Sequence, residues 1–73
     1  MESVLIHTAF IRLDAFLKFC AMVGTGGEAK SLIQEGYVLV NGEVCTQRGK
    51  KLYPGDTVAL GGETVVVASG EEA

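Results

Sequence analysis

Arg48, Lys50 and Lys51 place three cations within four positions. Like charges packed so closely repel one another unless solvent or an anion separates them, so the chemistry this run suits is holding a polyanion. A solvated loop is the plain alternative. The remaining bases are Arg12, Lys18 and Lys30, all earlier in the chain. The whole chain is acidic, with six bases against nine acids and a formal charge of −3. Distribution says more than the total. Every base lies between Arg12 and Lys51, and five acids between Ile11 and Leu60 leave that segment at +1. The ends carry Glu2, Glu63, Glu71 and Glu72 and no base.

Other chemistries find little support. A hydrolytic triad needs a nucleophile, a base and an orienting acid. The single histidine, His7, falls in a β-prone run near the start, away from any evident cleft. Asp14, Glu28 and Glu35 belong to different turns or elements, so no paired carboxylates share a helical face. Cys20 and Cys45 lack the CxxC spacing of a zinc site and are too few for a disulfide scaffold. They read as free thiols packed like small hydrophobes. The glycine-rich residues 24–27 lack the Walker pattern and follow a helix rather than a strand. The reading is therefore no catalytic residues, no metal ligands and no cofactor.

At 73 residues the chain is expected to form one domain, spanning 1–73. An apolar fraction of 48% is too high for intrinsic disorder. No stretch nears the ~18–20 apolar residues of a membrane span, and the opening residues show no leader pattern. A cytoplasmic location with no membrane partner is the expectation.

The elements that must position the cations follow from periodicity. Residues 4–8 are β-prone and suit an edge strand. Leu13, Phe16, Leu17, Cys20 and Val23 fall at helical spacing, which predicts a helix over 12–23 stopped by Gly24. Phe19 and Met22 lie beside that stripe and are expected to pack under a second element. Arg12 and Lys18 lie off it. Thr25 followed by Glu28 matches a capping box, predicting a second helix to about Glu35 with Gly36 as its left-handed cap. Its inward stripe is Ala29, Leu32 and Ile33. Lys30 and Gln34, four apart, project together from the opposite face. With Arg12 and Lys18 they can extend the cluster at 48–51 into a patch.

The remainder is strand and turn. Residues 37–40 run into Asn41-Gly42, a strong hairpin signal, and 43–45 return. Residues 46–51 form a polar basic loop. Pro54-Gly55 suits the centre of a type II turn. Residues 57–60 and 64–67 are strands joined around Gly61-Gly62, and 69–73 form an acidic, frayed tail. One strand, two helices and about four short strands give an α+β domain of two layers.

Several of these pieces recur together in one family. Arg12-Leu13-Asp14 opens a helix; then come Gly27-Glu28-Ala29-Lys30-Ser31-Leu32-Ile33, Gly36-Tyr37-Val38-Leu39-Val40-Asn41-Gly42 and Leu52-Tyr53-Pro54-Gly55-Asp56-Thr57-Val58. In this order and spacing they resemble the alpha-L RNA-binding domain, the module of ribosomal protein S-four, over a core of 11–60. The most specific part is the series A-x-x-L-I-x-x-G-x-V-x-V-N-G followed by P-G-D. The resemblance is to short stand-alone bacterial members. It implies a two-helix unit on a small bent antiparallel sheet of four to five strands. It further implies a non-enzymatic protein that holds structured RNA, ribosomal or transfer, through phosphates and shape; the formal charge of −3 argues for weak binding that calls for a ribonucleoprotein setting or a protein partner.

Carried over residue by residue, the RNA surface would comprise Arg12, Gly26, Gly27, Lys30, Gln34, Gln47, Arg48, Lys50 and Lys51, with Lys18 added from its place off the apolar stripe. Many members open the second helix with a serine–arginine pair where this chain has Gly27 and Glu28. That departure shifts phosphate contact toward Lys30 and the 48–51 loop. A rival reading is a protein-docking module. The hairpin also resembles that of ubiquitin-like sulfur carriers, but their C-terminal Gly-Gly is missing. Docking through an open edge at residues 65–67 survives that objection.

Overall fold

The computed structural model describes residues 2–70. The elements are β1 (Glu2–Ile6), β2 (Ile11–Arg12), α1 (Leu13–Phe19), α2 (Gly26–Gln34), β3 (Val38–Val40), β4 (Glu43–Val44), β5 (Lys51–Leu52), β6 (Thr57–Leu60) and β7 (Glu63–Ser69). Five strands form one sheet in the order β1-β7-β6-β3-β4, and β2 pairs with β5 in a separate ribbon. The α+β class is as expected. The main sheet is mixed, however, because β1 runs parallel to β7 with Glu2 opposite Val65 and Ile6 opposite Ser69.

Alternation along the strands builds the sheet's inner face. Val40, Val58 and Val65 sit opposite one another across β3, β6 and β7, and all three are buried. Ile6, Val38 and Val67 are buried as well. Against them pack Leu13, Phe16 and Leu17 of α1 and Ala29 and Ile33 of α2, all fully buried. Each such Leu or Phe stabilises the fold by about 1.5–3 kcal/mol. The core thus extends beyond 11–60, since Ile6, Val65 and Val67 lie outside that span.

The second helix forms as its caps dictate. The Glu28 amide donates to Thr25 Oγ1 at 3.1 Å, and the Glu28 carboxylate accepts from Gly24 N–H at 2.9 Å. At its end Gly36 has φ +85°, and the Gly36 and Tyr37 amides donate to the Ile33 and Leu32 carbonyls. That is the Schellman closure, which needs a left-handed residue at this position.

The first helix is shorter than its stripe suggests. It ends at Phe19, and the left-handed residue is Ala21, at φ +62°, rather than Gly24. The Ala21 and Met22 amides donate to Lys18 and Leu17, the same closure as in α2. Val23 remains buried although it lies off the helix. Met22 packs partly against the core, but Phe19 is 57% exposed and packs under nothing. Cys20 and Cys45 are free thiols, half-buried rather than buried.

The hairpin at Asn41-Gly42 forms, with φ +53° and +84°. Asn41 also reaches β6: its Oδ1 accepts from Thr57 N–H at 2.9 Å and its Nδ2 donates to Asp56 Oδ1 at 3.2 Å. The Pro54-Gly55 turn closes with Asp56 N–H donating to the Tyr53 carbonyl at 3.0 Å. The strand expected over 64–67 runs from Glu63 to Ser69, and Gly70 N–H donates to the Ile6 carbonyl. Ser69 is therefore strand rather than frayed tail, and residues 71–73 of that expected tail lie outside the described residues. The run 65–67 is flanked by β1 and β6, so the open edge imagined there is closed. Among the described residues, no helix is long and apolar enough to cross a membrane.

The two left-handed caps give opposite expectations. An alanine at positive φ carries a steric cost that glycine lacks. Ala21→Gly should raise unfolding free energy by about 1 kcal/mol, and Gly36→Ala should lower it by a similar amount. Urea denaturation of both variants checks the pair.

Candidate nucleic-acid interface

The start of α1 has no side-chain cap. Arg12 occupies the cap position, but its side chain caps none of the helix amides. The first amides of a helix lack intrahelical acceptors and must find others. Here the Leu13 amide donates to the Lys50 carbonyl at 2.8 Å and the Asp14 amide to the Arg48 carbonyl at 3.1 Å. Asp14 Oδ1 accepts from the Ala15 amide at 2.8 Å. The basic loop therefore caps the helix. One step earlier, Ile11 pairs with Leu52 and Arg12 with Lys51. Leu13 and Leu52 are fully buried, which fixes the ribbon to the core.

This bridge gathers four expected residues, Arg12, Arg48, Lys50 and Lys51, all exposed. The Arg12 guanidinium lies against Gly49, where an added Cβ would come within 3.7 Å of it. It also pairs with Asp14 at 3.3 Å. Arg12, Asp14, Ala15, Lys18 and Gly26 line a shallow groove of about 300 Å³ between the helices. Lys18 and Gly26 thus join the same surface. A Cβ at Gly26 would meet nothing within 4 Å, so the backbone is open there. Lys30, exposed, is one turn beyond Gly26 on the same helical face. Gly27 sits in the first turn beside the Thr25 cap.

Two expected residues, Gln34 and Gln47, do not line that groove. Gln34 is the last residue of α2, two turns from Gly26. Gln47 lines a different groove, with Lys50 and residues of the β3–β4 hairpin. Its carbonyl accepts from the Lys50 amide at 3.1 Å, which closes a turn in the loop. Glu28 is an acid within the region, but the Gly24 amide holds its carboxylate at the helix start.

Some neighbours carry no signal in the sequence. Phe10, 37% exposed, meets Tyr53, 49% exposed, with ring centroids 5.9 Å apart. The Lys51 ammonium lies 4.8 Å from the centre of the Phe10 ring. The register that pairs Ile11 with Leu52 is what brings these rings together, and nothing local to either residue announces it. Tyr37 and Tyr53 both lie outside strands and are exposed. At the other end of α1, the Cys20 thiol is pushed up chiefly by burial, with a smaller contribution from Glu2 and Glu63. Among the described residues, no group of three metal-ligating side chains occurs.

A family model described as the S4 domain matches residues 4–68. The chain belongs to the S4 domain family. A relative of this S4 domain, the probable ribosome maturation protein RlbA of Bacillus subtilis (strain 168), is 44% identical over 61 residues. That match covers 84% of this chain and 86% of the relative. The solution structure of YbcJ from E. coli, described as revealing an alfaL motif involved in RNA-binding, is 32% identical with a TM-score of 0.71. It covers 93% of this chain and 87% of YbcJ. The family expected from the residues is the family found.

The capping of α1 by the loop has a direct readout. First-turn amides of helices ordinarily exchange fast for want of an acceptor. In this S4 domain the Leu13 and Asp14 amides should be protected in hydrogen exchange followed by NMR. The Gly26 and Gly27 amides at the start of α2 should exchange freely.

Proposed function

We propose that this chain is a non-catalytic RNA-binding protein that holds structured RNA, ribosomal or transfer, through its phosphates and shape. The observation that carries the reading is the capping of α1 by the basic loop. It joins Arg12, Arg48, Lys50 and Lys51 into one exposed cationic surface beside Lys18 and Gly26. Family membership and the names of the two relatives support it.

The mechanism is physical. Lysine and arginine displace counterions condensed on the phosphate backbone, which gives affinity with little choice of sequence. A-form RNA has a deep, narrow major groove that side chains do not read, so recognition rests on phosphates, 2′-hydroxyls and helix shape. The exposed backbone at Gly26 lets the start of α2 come close to an anion, where its amides and dipole favour negative charge. Asp14 works against this. It neutralises part of Arg12 within the surface, and it repels phosphate.

Charge reversal tests the reading. Arg48→Glu, Lys50→Glu and Lys51→Glu combined should weaken binding to a structured RNA. The slope of log K against log salt should become shallower by about 2–3, near 0.7–0.9 per lost phosphate contact. Circular dichroism confirms that the variant folds. Unchanged affinity across a salt titration would rule the surface out. Asp14→Asn should act in the opposite direction and tighten binding about threefold to tenfold, because it frees Arg12 and removes a negative charge. Filter binding at matched salt measures it.

A further inference from the structure

Phe10 and Tyr53 are exposed aromatic side chains in contact at the edge of the cationic surface. Scattered surface aromatics need no explanation, but these are paired and tied to the charges. Lys51 makes the tie. Its backbone pairs with Arg12 in the β2–β5 ribbon, and its ammonium lies over the Phe10 ring. The cationic surface and the aromatic pair are therefore continuous through one residue.

The backbone under the rings is fixed. The Tyr53 amide donates to Asp56 Oδ2 at 2.8 Å, and its carbonyl accepts from the Asp56 amide in the Pro54-Gly55 turn. The Phe10 carbonyl accepts from Thr8 Oγ1 at 2.7 Å. An aromatic ring on a fixed backbone loses little entropy when something stacks on it. Rings beside a polyanion site suit one occupant above others, the flat face of a nucleobase whose own phosphate lies on the neighbouring cations. Bases inside a duplex are stacked on each other and do not offer that face.

We infer that the Tyr53 ring, buttressed by Phe10 at a tilt of 46° with Lys51 over the Phe10 ring, forms a stacking platform for one unpaired nucleobase of an RNA whose adjoining phosphates lie on Arg12, Lys51 and the loop. This rests on the RNA-binding reading and adds specificity to it. The chain would prefer structured RNA with an unpaired nucleotide at a helix end or bulge over fully paired duplex.

The test uses two RNA hairpins closed by the same non-nucleotide linker, one fully paired and the other carrying in addition a single 2-aminopurine bulge. The wild-type chain should bind the bulged hairpin about fivefold or more tightly and quench the 2-aminopurine fluorescence, as stacking on an aromatic ring does. Tyr53→Ala should abolish both the preference and the quenching while leaving affinity for the paired hairpin within about twofold. Tyr53→Phe should retain both, because the ring and not the hydroxyl does the stacking. Phe10→Leu, which keeps apolar volume beside Lys51, should reduce the preference. Equal binding of the two hairpins by the wild-type chain, or a preference that survives Tyr53→Ala, would overturn the platform alone. Failure to bind either hairpin would overturn the RNA reading, and the platform with it.

Discussion

The arrangement depends on a cap that the first helix does not supply for itself. An α-helix begins with amides that have no partner within it, and leaving one unmade near a buried core costs about 1–3 kcal/mol. Most helices meet the need with a serine, threonine, aspartate or asparagine at the cap position. Arg12 stands there instead, and carbonyls from Arg48 and Lys50 do the work. The loop cannot drift from the helix without orphaning those amides and loosening Leu13 and Leu52 from the core. A run of mutually repelling cations is thereby held where its side chains project and its backbone cannot move. The repulsion among Arg48, Lys50 and Lys51 is offset by hydrogen bonding and burial beneath them.

This geometry also reconciles an acidic chain with a cationic surface. Net charge is a sum over the molecule, whereas a ligand at one face feels charges within about a Debye length, ~8–10 Å at physiological salt. Glu2 and Glu63 lie near Cys20, at the end of α1 opposite the basic loop. Asp56 is occupied in holding the Tyr53 amide and the Asn41 side chain. Glu28 is drawn to Gly24. Asp14 is the acid in direct contact with a surface cation. The −3 total therefore bears on solubility and long-range approach more than on contact at the ledge.

Local signals in the sequence were reliable where the structure is local. The Thr25–Glu28 box, the Gly36 cap, the Asn41-Gly42 hairpin and the Pro54-Gly55 turn each depend on residues within a few positions. The ordered series N-G then P-G-D gains a reason in the structure, since the Asn41 side chain bonds both Asp56 and Thr57 and locks one turn to the other. What could not be read was long-range. The parallel pairing of β1 with β7 joins the two ends of the chain, and neither strand's alternation encodes its partner. The β2–β5 ribbon is only two residues wide on each side, too short for any pattern. Phe10 became a neighbour of Tyr53 through that ribbon alone. The early end of α1 was hidden for a different reason: alanine is the best helix former, so Ala21 reads as helix, yet tertiary packing places it left-handed.

The loop's fixed ends also govern how binding energy is used. The Cys45 amide donates to the Val38 carbonyl at 3.0 Å, tying the loop's start to β3. Its finish is tied at Lys50 and Lys51 to the first helix. Within it, the Lys50 amide bonds the Gln47 carbonyl and closes a turn. A loop free at either end would lose about 1–2 kcal/mol of backbone entropy per residue on ordering against a ligand. Here folding has already ordered it, so an incoming polyanion restricts mainly the lysine and arginine side chains. A domain of 73 residues with a small core can thus present a usable charged surface without a large interface. Preorganisation of backbone, rather than quantity of charge, is what the fold contributes.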